Sequence, residues 1–118
     1  MRCALEAAAV RVAPSMNEQG VANTWWALAT LGWQAGEGSM RCALEAAAVR
    51  VAPSMKAQGV ANTLWAIATL GWQAQEGMMH SMLEMAAVRV AESMNARDVG
   101  NALWALATLG WQGTKAKQ

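Results

Sequence analysis

The stretch VANTLWAIATLGW, residues 60–72, decides the fold because the chain carries it three times. Residues 21–33 read VANTWWALATLGW and residues 99–111 read VGNALWALATLGW, so copies start 39 residues apart (60 − 21 = 99 − 60 = 39). A fixed period of this length is typical of repeat proteins, whose units stack on one another. The sequence therefore predicts one domain with three repeats, over residues 1–39, 40–78 and 79–118, the last ending in a polar tail.

The first half of each repeat predicts a helix. Residues 2–13 read RCALEAAAVRVA, a sequence rich in residues that favour helix. Pro14 and its copy Pro53 should end this helix, because the residue before a proline is pushed out of helical geometry. Glu92 replaces the proline in the third repeat, so we expect a less rigid turn there.

The second half of each repeat predicts another helix, which contains the repeated stretch. The sequence allows two positions for the start of this helix. Ser15 with Glu18 would form a capping box. Alternatively the cap lies at Asn17, whose copies are Lys56, a poor cap, and Asn95. The end is set by a Leu-Gly-Trp sequence in which the glycine suits the left-handed residue after a helix, at Gly32, Gly71 and Gly110.

This second helix is apolar over a wide arc, with one stripe at Val21, Trp25 and Leu28 and another beside it that includes Trp26. Such a helix is buried on two sides, as an inner helix of a stack requires. The predicted fold is all-α, an α-solenoid of three 39-residue helix-turn-helix repeats with six helices. We expect the core to include Trp26, Trp65 and Trp104.

The composition fits a globular protein without a strong overall charge. Apolar residues make up 55% of the chain and charged residues 14%, which argues against disorder. The net charge is +1, so any contact with a polyanion must be local. The most apolar window, residues 64–70, is far shorter than the roughly 20 residues of a membrane span. We expect neither a signal peptide nor a membrane partner.

The two cysteines, Cys3 and Cys42, share one repeat position. Stacked repeats place equivalent residues about 8–10 Å apart, whereas a disulfide needs Cα atoms within about 7 Å. The sequence therefore predicts two half-buried free thiols and an intracellular, reducing compartment.

Catalytic chemistry is not supported by the residue pattern. His80 is the single histidine, and no second ligand stands at metal-binding spacing. The carboxylates Glu6, Glu45 and Glu84 recur once per repeat and suit intrahelical pairs with basic residues. The serines have no base at a recognisable spacing, and no phosphate-binding glycine motif is present. We predict a protein that is not an enzyme and holds no metal or cofactor.

Binding chemistry has two candidate ladders. Arg11, Arg50 and Arg89 recur near the end of the first helix, where they could follow a phosphate backbone or satisfy the last carbonyls of their own helices. The second ladder consists of Asn23, Asn62 and Asn101. These side chains could form amide hydrogen bonds across a buried contact between repeats, or they could recognise a ligand.

Further candidates are positions at which the otherwise similar repeats carry different residues. Modular RNA-binding proteins recognise successive bases through such variable positions, but neutral substitution on exposed turns gives the same pattern. The positions are Asn17, Lys56 and Asn95, together with Gly36, Gln75 and Thr114, and Ser39, Met78 and Lys117. Three tryptophans at the helix exits could stack on bases, namely Trp33, Trp72 and Trp111.

The segment ANTLWAIATLG, residues 61–71, within a two-helix repeat resembles the octotricopeptide repeat, and heptatricopeptide and FAST-kinase-like helical repeats are similar. The resemblance covers essentially the whole chain. It implies an α-solenoid that binds single-stranded RNA in organellar RNA maturation, stability or translation, in a chloroplast or mitochondrion. The signature positions are Asn23, Trp26 and Gly32, with their copies Asn62, Trp65, Gly71, Asn101, Trp104 and Gly110. The Pro-rich segment ending in Glu-Trp that often follows Leu-Gly in the family is replaced here by WQAQEG, residues 72–77.

The leading hypothesis is RNA binding on a concave face, using the three arginines and the variable positions Asn17, Lys56, Asn95 and Gln75. The alternative is a protein-interaction scaffold or a fragment that associates with itself. Neither end of the sequence shows a distinct capping repeat, so we expect a fragment of a longer array or a chain that associates end to end.

Overall fold

A computed structural model describes residues 2–32, 38–71 and 77–110, and side chains over residues 4–32, 40–71 and 79–110. These residues form six α-helices and no strand. The fold class is therefore all-α over the described part of the chain, as predicted. The helices are α1 Arg2–Val12, α2 Glu18–Leu31, α3 Gly38–Val51, α4 Ala57–Leu70, α5 Gly77–Val90 and α6 Ala96–Leu109.

One turn recurs after α1, α3 and α5. It is a short 3-10 turn at Ala13–Ser15, Ala52–Ser54 and Ala91–Ser93. The prolines stand early in the first two turns, so the first helix ends within one residue of the predicted point. The third turn has the same form with Glu92 in place of proline, so the turn does not depend on the pyrrolidine ring.

The serine that closes each turn is not the helix cap. The Ser15 hydroxyl donates a hydrogen bond to the Val12 carbonyl at 3.0 Å, and Ser54 repeats this with Val51 at 3.1 Å. Because the hydroxyl is engaged with the preceding helix, the alternative of a capping box from Ser15 to Glu18 is wrong.

The caps of α2 and α6 are asparagines. The Asn17 side chain accepts a hydrogen bond from the Gly20 amide at 2.8 Å. In α6, Asn95 and Asp98 form a reciprocal capping box, with distances of 2.8 and 3.4 Å. Lys56 occupies the same position before α4 and makes no side-chain cap. The cap position predicted at Asn17 and Asn95 is therefore confirmed.

The second helix of each pair ends at a glycine in the left-handed region. The φ values are 67° at Gly32, 71° at Gly71 and 74° at Gly110. Each glycine amide donates back into the last turn, Gly71 to the Ala68 carbonyl at 3.1 Å. The predicted C-cap is confirmed, while the tryptophan that follows each glycine lies outside the described residues.

The helices pack mainly against those two places away in the chain. The most extensive contacts join α2 to α4 and α4 to α6, while α1, α3 and α5 form a looser second row. Helices α3 and α5 also pack against α2 and α4 respectively. The central helix α4 buries nine of its 14 residues, whereas α2 buries five and α6 four. Burial therefore depends on having a neighbour on both sides.

The buried aromatic of α2 is Trp25, which is 0% exposed. Trp26, Trp65 and Trp104 were predicted to lie in the core. The prediction is wrong for Trp26 and Trp104, which are 44% and 47% exposed. Trp65 is half-buried and packs against the edge of the core. The physical reason is that each residue turns about 100° around a helix, which carries this position beyond the buried stripe.

We expect Gly71→Ala to lower the free energy of unfolding by about 1–2 kcal/mol, because a side chain disfavours positive φ. A methyl group at Gly71 meets no atom within 4 Å, so the cost is conformational. The control is Gly100→Ala, which is equally unobstructed but lies inside α6 and should gain up to about 1 kcal/mol. Urea unfolding at low protein concentration measures both. Equal midpoints for the two variants would contradict the assignment.

Candidate nucleic-acid interface

The three predicted arginines stand at equivalent places, in the last turns of α1, α3 and α5. All three are exposed. A guanidinium at the end of a helix was expected either to face a ligand or to satisfy the carbonyls of its own helix.

The Arg50 guanidinium donates hydrogen bonds to backbone carbonyls of the preceding repeat. Its Nη2 donates to the Ala13 carbonyl at 2.9 Å and to the Met16 carbonyl at 2.8 Å. Both acceptors belong to the turn between α1 and α2, so the bonds join the helix pair α3 and α4 to the preceding pair, α1 and α2. The interpretation that Arg50 caps its own helix is therefore wrong, because its partners lie 37 and 34 residues earlier.

Arg89 repeats the arrangement one unit later. Its Nη2 donates to the Ala52 carbonyl at 2.9 Å and to the Met55 carbonyl at 2.8 Å. An arginine has five N–H donors, so the remaining donors of an exposed guanidinium stay available to a phosphate. Arg11 makes no hydrogen bond to any described residue, since no pair precedes α1 within the described part of the chain. The arginine ladder is thus partly structural.

A polar groove of about 310 Å³ runs between the first halves of α2 and α4. Its floor is narrow because a methyl group at Gly59 would lie 3.7 Å from the Cβ of Ala22. Its polar lining consists of Glu18, Gln19, Asn23, Lys56, Gln58 and Asn62. The groove brings together the predicted residues Asn23, Asn62 and Lys56.

The asparagine ladder is open to solvent rather than sealed in a seam. Asn23 is exposed, and Asn62 and Asn101 are half-buried. Their side-chain amides make no hydrogen bond to any residue within the described ranges. The interpretation of amide hydrogen bonds across a buried seam is therefore wrong, and two free amides face the groove.

Lys56 connects this groove to a second pocket of about 500 Å³, whose lining includes Arg89 and Asp98. The residues Asn23, Asn62, Lys56 and Arg89 consequently follow one another along the surface, and we call this set the polar strip. Two carboxylates border it, at Glu18 and at Asp98, but Asp98 is already engaged in its cap. The strip thus combines amides with two cations.

Sequence reasoning missed Gln19 and Gln58, which line the groove beside the asparagines. The signal was present, because Gln19 precedes Asn23 by four residues and Gln58 precedes Asn62 by four. Residues four apart share one face of a helix. Other predicted positions, Gln75 and the exit tryptophans Trp33, Trp72 and Trp111, lie outside the described residues.

Two local pairs occur among the remaining titratable residues. Arg41 Nε lies 2.9 Å from Glu45 Oε2 and His80 Nε2 lies 2.8 Å from Glu84 Oε2, both at i, i+4 spacing. No cluster of three potential metal ligands occurs among the described residues. The Cys42 thiol is free but exposed, so its predicted half-burial is wrong, while the Cys3 side chain lies outside the described side chains. The described helices include none long and apolar enough to cross a membrane.

Comparison of the chain with protein-family models, with curated proteins and with solved structures gave no match.

Replacing Arg50 with methionine should lower the free energy of unfolding by about 1–2 kcal/mol, because two charge-assisted hydrogen bonds are lost. The matched control is Arg11→Met, which removes the same side chain from a site without such bonds. We expect the control to change stability by no more than about 0.5 kcal/mol. Urea unfolding at low protein concentration gives both values. Equal losses in the two variants would refute the role of Arg50 in joining the helix pairs.

Proposed function

We propose that the chain is an α-solenoid of three octotricopeptide-like repeats and that it binds single-stranded RNA along the polar strip. The observation that carries the proposal is the pair of free amides, Asn23 and Asn62, that face one groove with Lys56 at its edge. The solenoid is supported by the two rows of helices, in which each helix packs against the one two places away.

The side chains of the strip suit an RNA strand in two ways. A carboxamide carries both donors and an acceptor, so it can pair with the edge of an unstacked base. Lys56 and Arg89 supply local positive charge for the backbone, which the chain as a whole lacks at a net charge of +1. The amides would then contribute base recognition and the cations affinity.

The cellular role follows from the resemblance alone. Octotricopeptide-like repeats imply work on organellar RNA, in maturation, stability or translation. We therefore propose this class of role, in a chloroplast or mitochondrion, with several such repeats contributing to one RNA site.

A protein partner is the second candidate, and a specific surface favours it. A small pocket of about 260 Å³ is lined by Pro53, Met82, Met85, Ala86 and Arg89. Methionine side chains adapt to varied apolar ligands. A partner held there would bind with little dependence on salt, whereas RNA affinity falls steeply as salt rises.

The test is binding of single-stranded RNA oligonucleotides to the chain and to Lys56→Asn across a salt series. Asparagine at this position can form the cap that α4 lacks, so the variant should be more stable by about 0.5–1 kcal/mol. Its RNA affinity should nevertheless fall, with the slope of log K against log salt reduced by about one. Arg41→Gln removes one positive charge elsewhere and should leave the slope unchanged.

Two outcomes would overturn the proposal. The first is an unmodified chain that binds no RNA at low salt, or binds it without salt dependence. The second is a Lys56→Asn variant that binds as well as the unmodified chain. A further variant, Asn62→Ala, should reduce discrimination between oligonucleotides while leaving the salt slope unchanged, because it removes an amide and no charge.

A further inference from the structure

The last helix exposes side chains that its copies bury. Leu103 is 61% exposed, whereas its equivalents Leu64 and Trp25 are 1% and 0% exposed. Val99 is 39% exposed, whereas Val60 is 0% exposed. Ala107 is exposed too, although Ala29 and Ala68 are buried. Positions that are buried in α2 and α4 but open in α6 must be covered by the pair that follows. We call Val99, Leu103 and Ala107 the trailing face.

The first helices show the complementary pattern. Leu5 is 50% exposed, whereas its copies Leu44 and Leu83 are 0% exposed. Leu31 is 69% exposed and its copy Leu70 is 6% exposed. Ala27 is exposed although Ala66 and Ala105 are 0% exposed. These positions are covered by the preceding pair wherever one is present. We call Leu5, Ala27 and Leu31 the leading face.

The hydrogen-bonding groups that join successive helix pairs are also complementary at the two ends of the described chain. Arg50 and Arg89 each donate to two carbonyls of the preceding turn. Arg11 has no such partner among the described residues. At the other end of the described chain, the equivalent carbonyls of Ala91 and Met94 accept no arginine. One end thus offers a guanidinium and the other end the two acceptors it fits.

We propose that the chain associates head to tail with a second copy, the trailing face of one copy packing on the leading face of the next. The chain already makes this junction twice within itself, between α2 and α4 and between α4 and α6. The third junction would bring α6 onto α2 and α5 onto α1 of the neighbouring copy. Arg11 of that copy would donate to the carbonyls of Ala91 and Met94.

One point of the proposed contact can be compared directly with its equivalent inside the chain. Inside the chain, Gly59 lies against Ala22, with 3.7 Å between an added methyl group and the Ala22 Cβ. At the proposed junction the same two positions are Gly20 and Gly100. At this point the junction therefore has one methyl group fewer than the internal contact, so the two helices have at least as much room there as α2 and α4 have.

The two faces differ, so the association is heterologous and does not close after two copies. A copy that has bound through its trailing face still exposes its leading face. We expect a rod that lengthens with concentration, in which each added copy continues the two rows of helices. The association needs no RNA, so its failure and the failure of RNA binding are separate results.

The first experiment is sedimentation of the purified chain over a concentration series without nucleic acid. The average mass should rise continuously past that of a dimer. A chain that stays monomeric at every concentration overturns the proposal, and so does a mass that stops at the dimer.

Variants then test the polarity of the contact. Leu103→Glu disables the trailing face and Leu5→Glu the leading face, and both positions are exposed in the monomer, so circular dichroism should show unchanged folding. Each variant alone should remain monomeric, whereas an equal mixture should form a heterodimer and nothing larger. A dimer formed by either variant alone would reveal a symmetric contact and overturn the proposal.

The matched control is Thr69→Glu, at a position that is exposed in all three repeats, as Thr30, Thr69 and Thr108. It should associate like the unmodified chain. If it abolishes association as the two face variants do, the loss reflects added charge rather than a specific contact, and the assignment of the two faces is wrong.

Discussion

The structure depends on the burial of each second helix by the helix pair that follows it. Leu64 in α4 is 1% exposed and Leu103 at the same position in α6 is 61% exposed, and the difference is the presence of a neighbour. Apolar burial is the main favourable term in folding. In this chain much of that term therefore lies between helix pairs rather than within one. The arginine bonds from Arg50 and Arg89 add direction, because they specify which turn each helix end must meet.

This constraint decides where function can lie. The apolar stripes of α2, α4 and α6 are used for stacking, which leaves a narrow face on which Gln and Asn stand four residues apart. The groove between α2 and α4 is that face. The proposals of RNA binding and of head-to-tail association follow from the same geometry. Every pair of helices that association adds would lengthen the polar strip. A longer strip would bind a polyanion more tightly than a chain of net charge +1 can alone.

The sequence was enough to predict the all-α class and the glycine C-caps, and it offered the asparagine N-caps as one of two alternatives, because these features depend on local chemistry. Packing decided the rest. A helical stripe two residues wide does not reveal which of Trp25 and Trp26 is buried, and the structure buries the first. The arginine spacing indicated a ladder but not its acceptors, which lie 37 and 34 residues away. The sequence left open whether the asparagines bond across a buried seam or face a ligand, because their environment depends on how closely two helices approach.

The most direct test compares amide hydrogen exchange in α2, α4 and α6 at a concentration where the chain is monomeric. The three helices have nearly the same sequence, so intrinsic helix propensity would give them similar protection. If stability lies between helix pairs, amides of residues 60–70 in α4 should exchange most slowly and those of α6 markedly faster, because α4 is covered on both sides. Equal exchange in α4 and α6 would contradict this explanation of the fold.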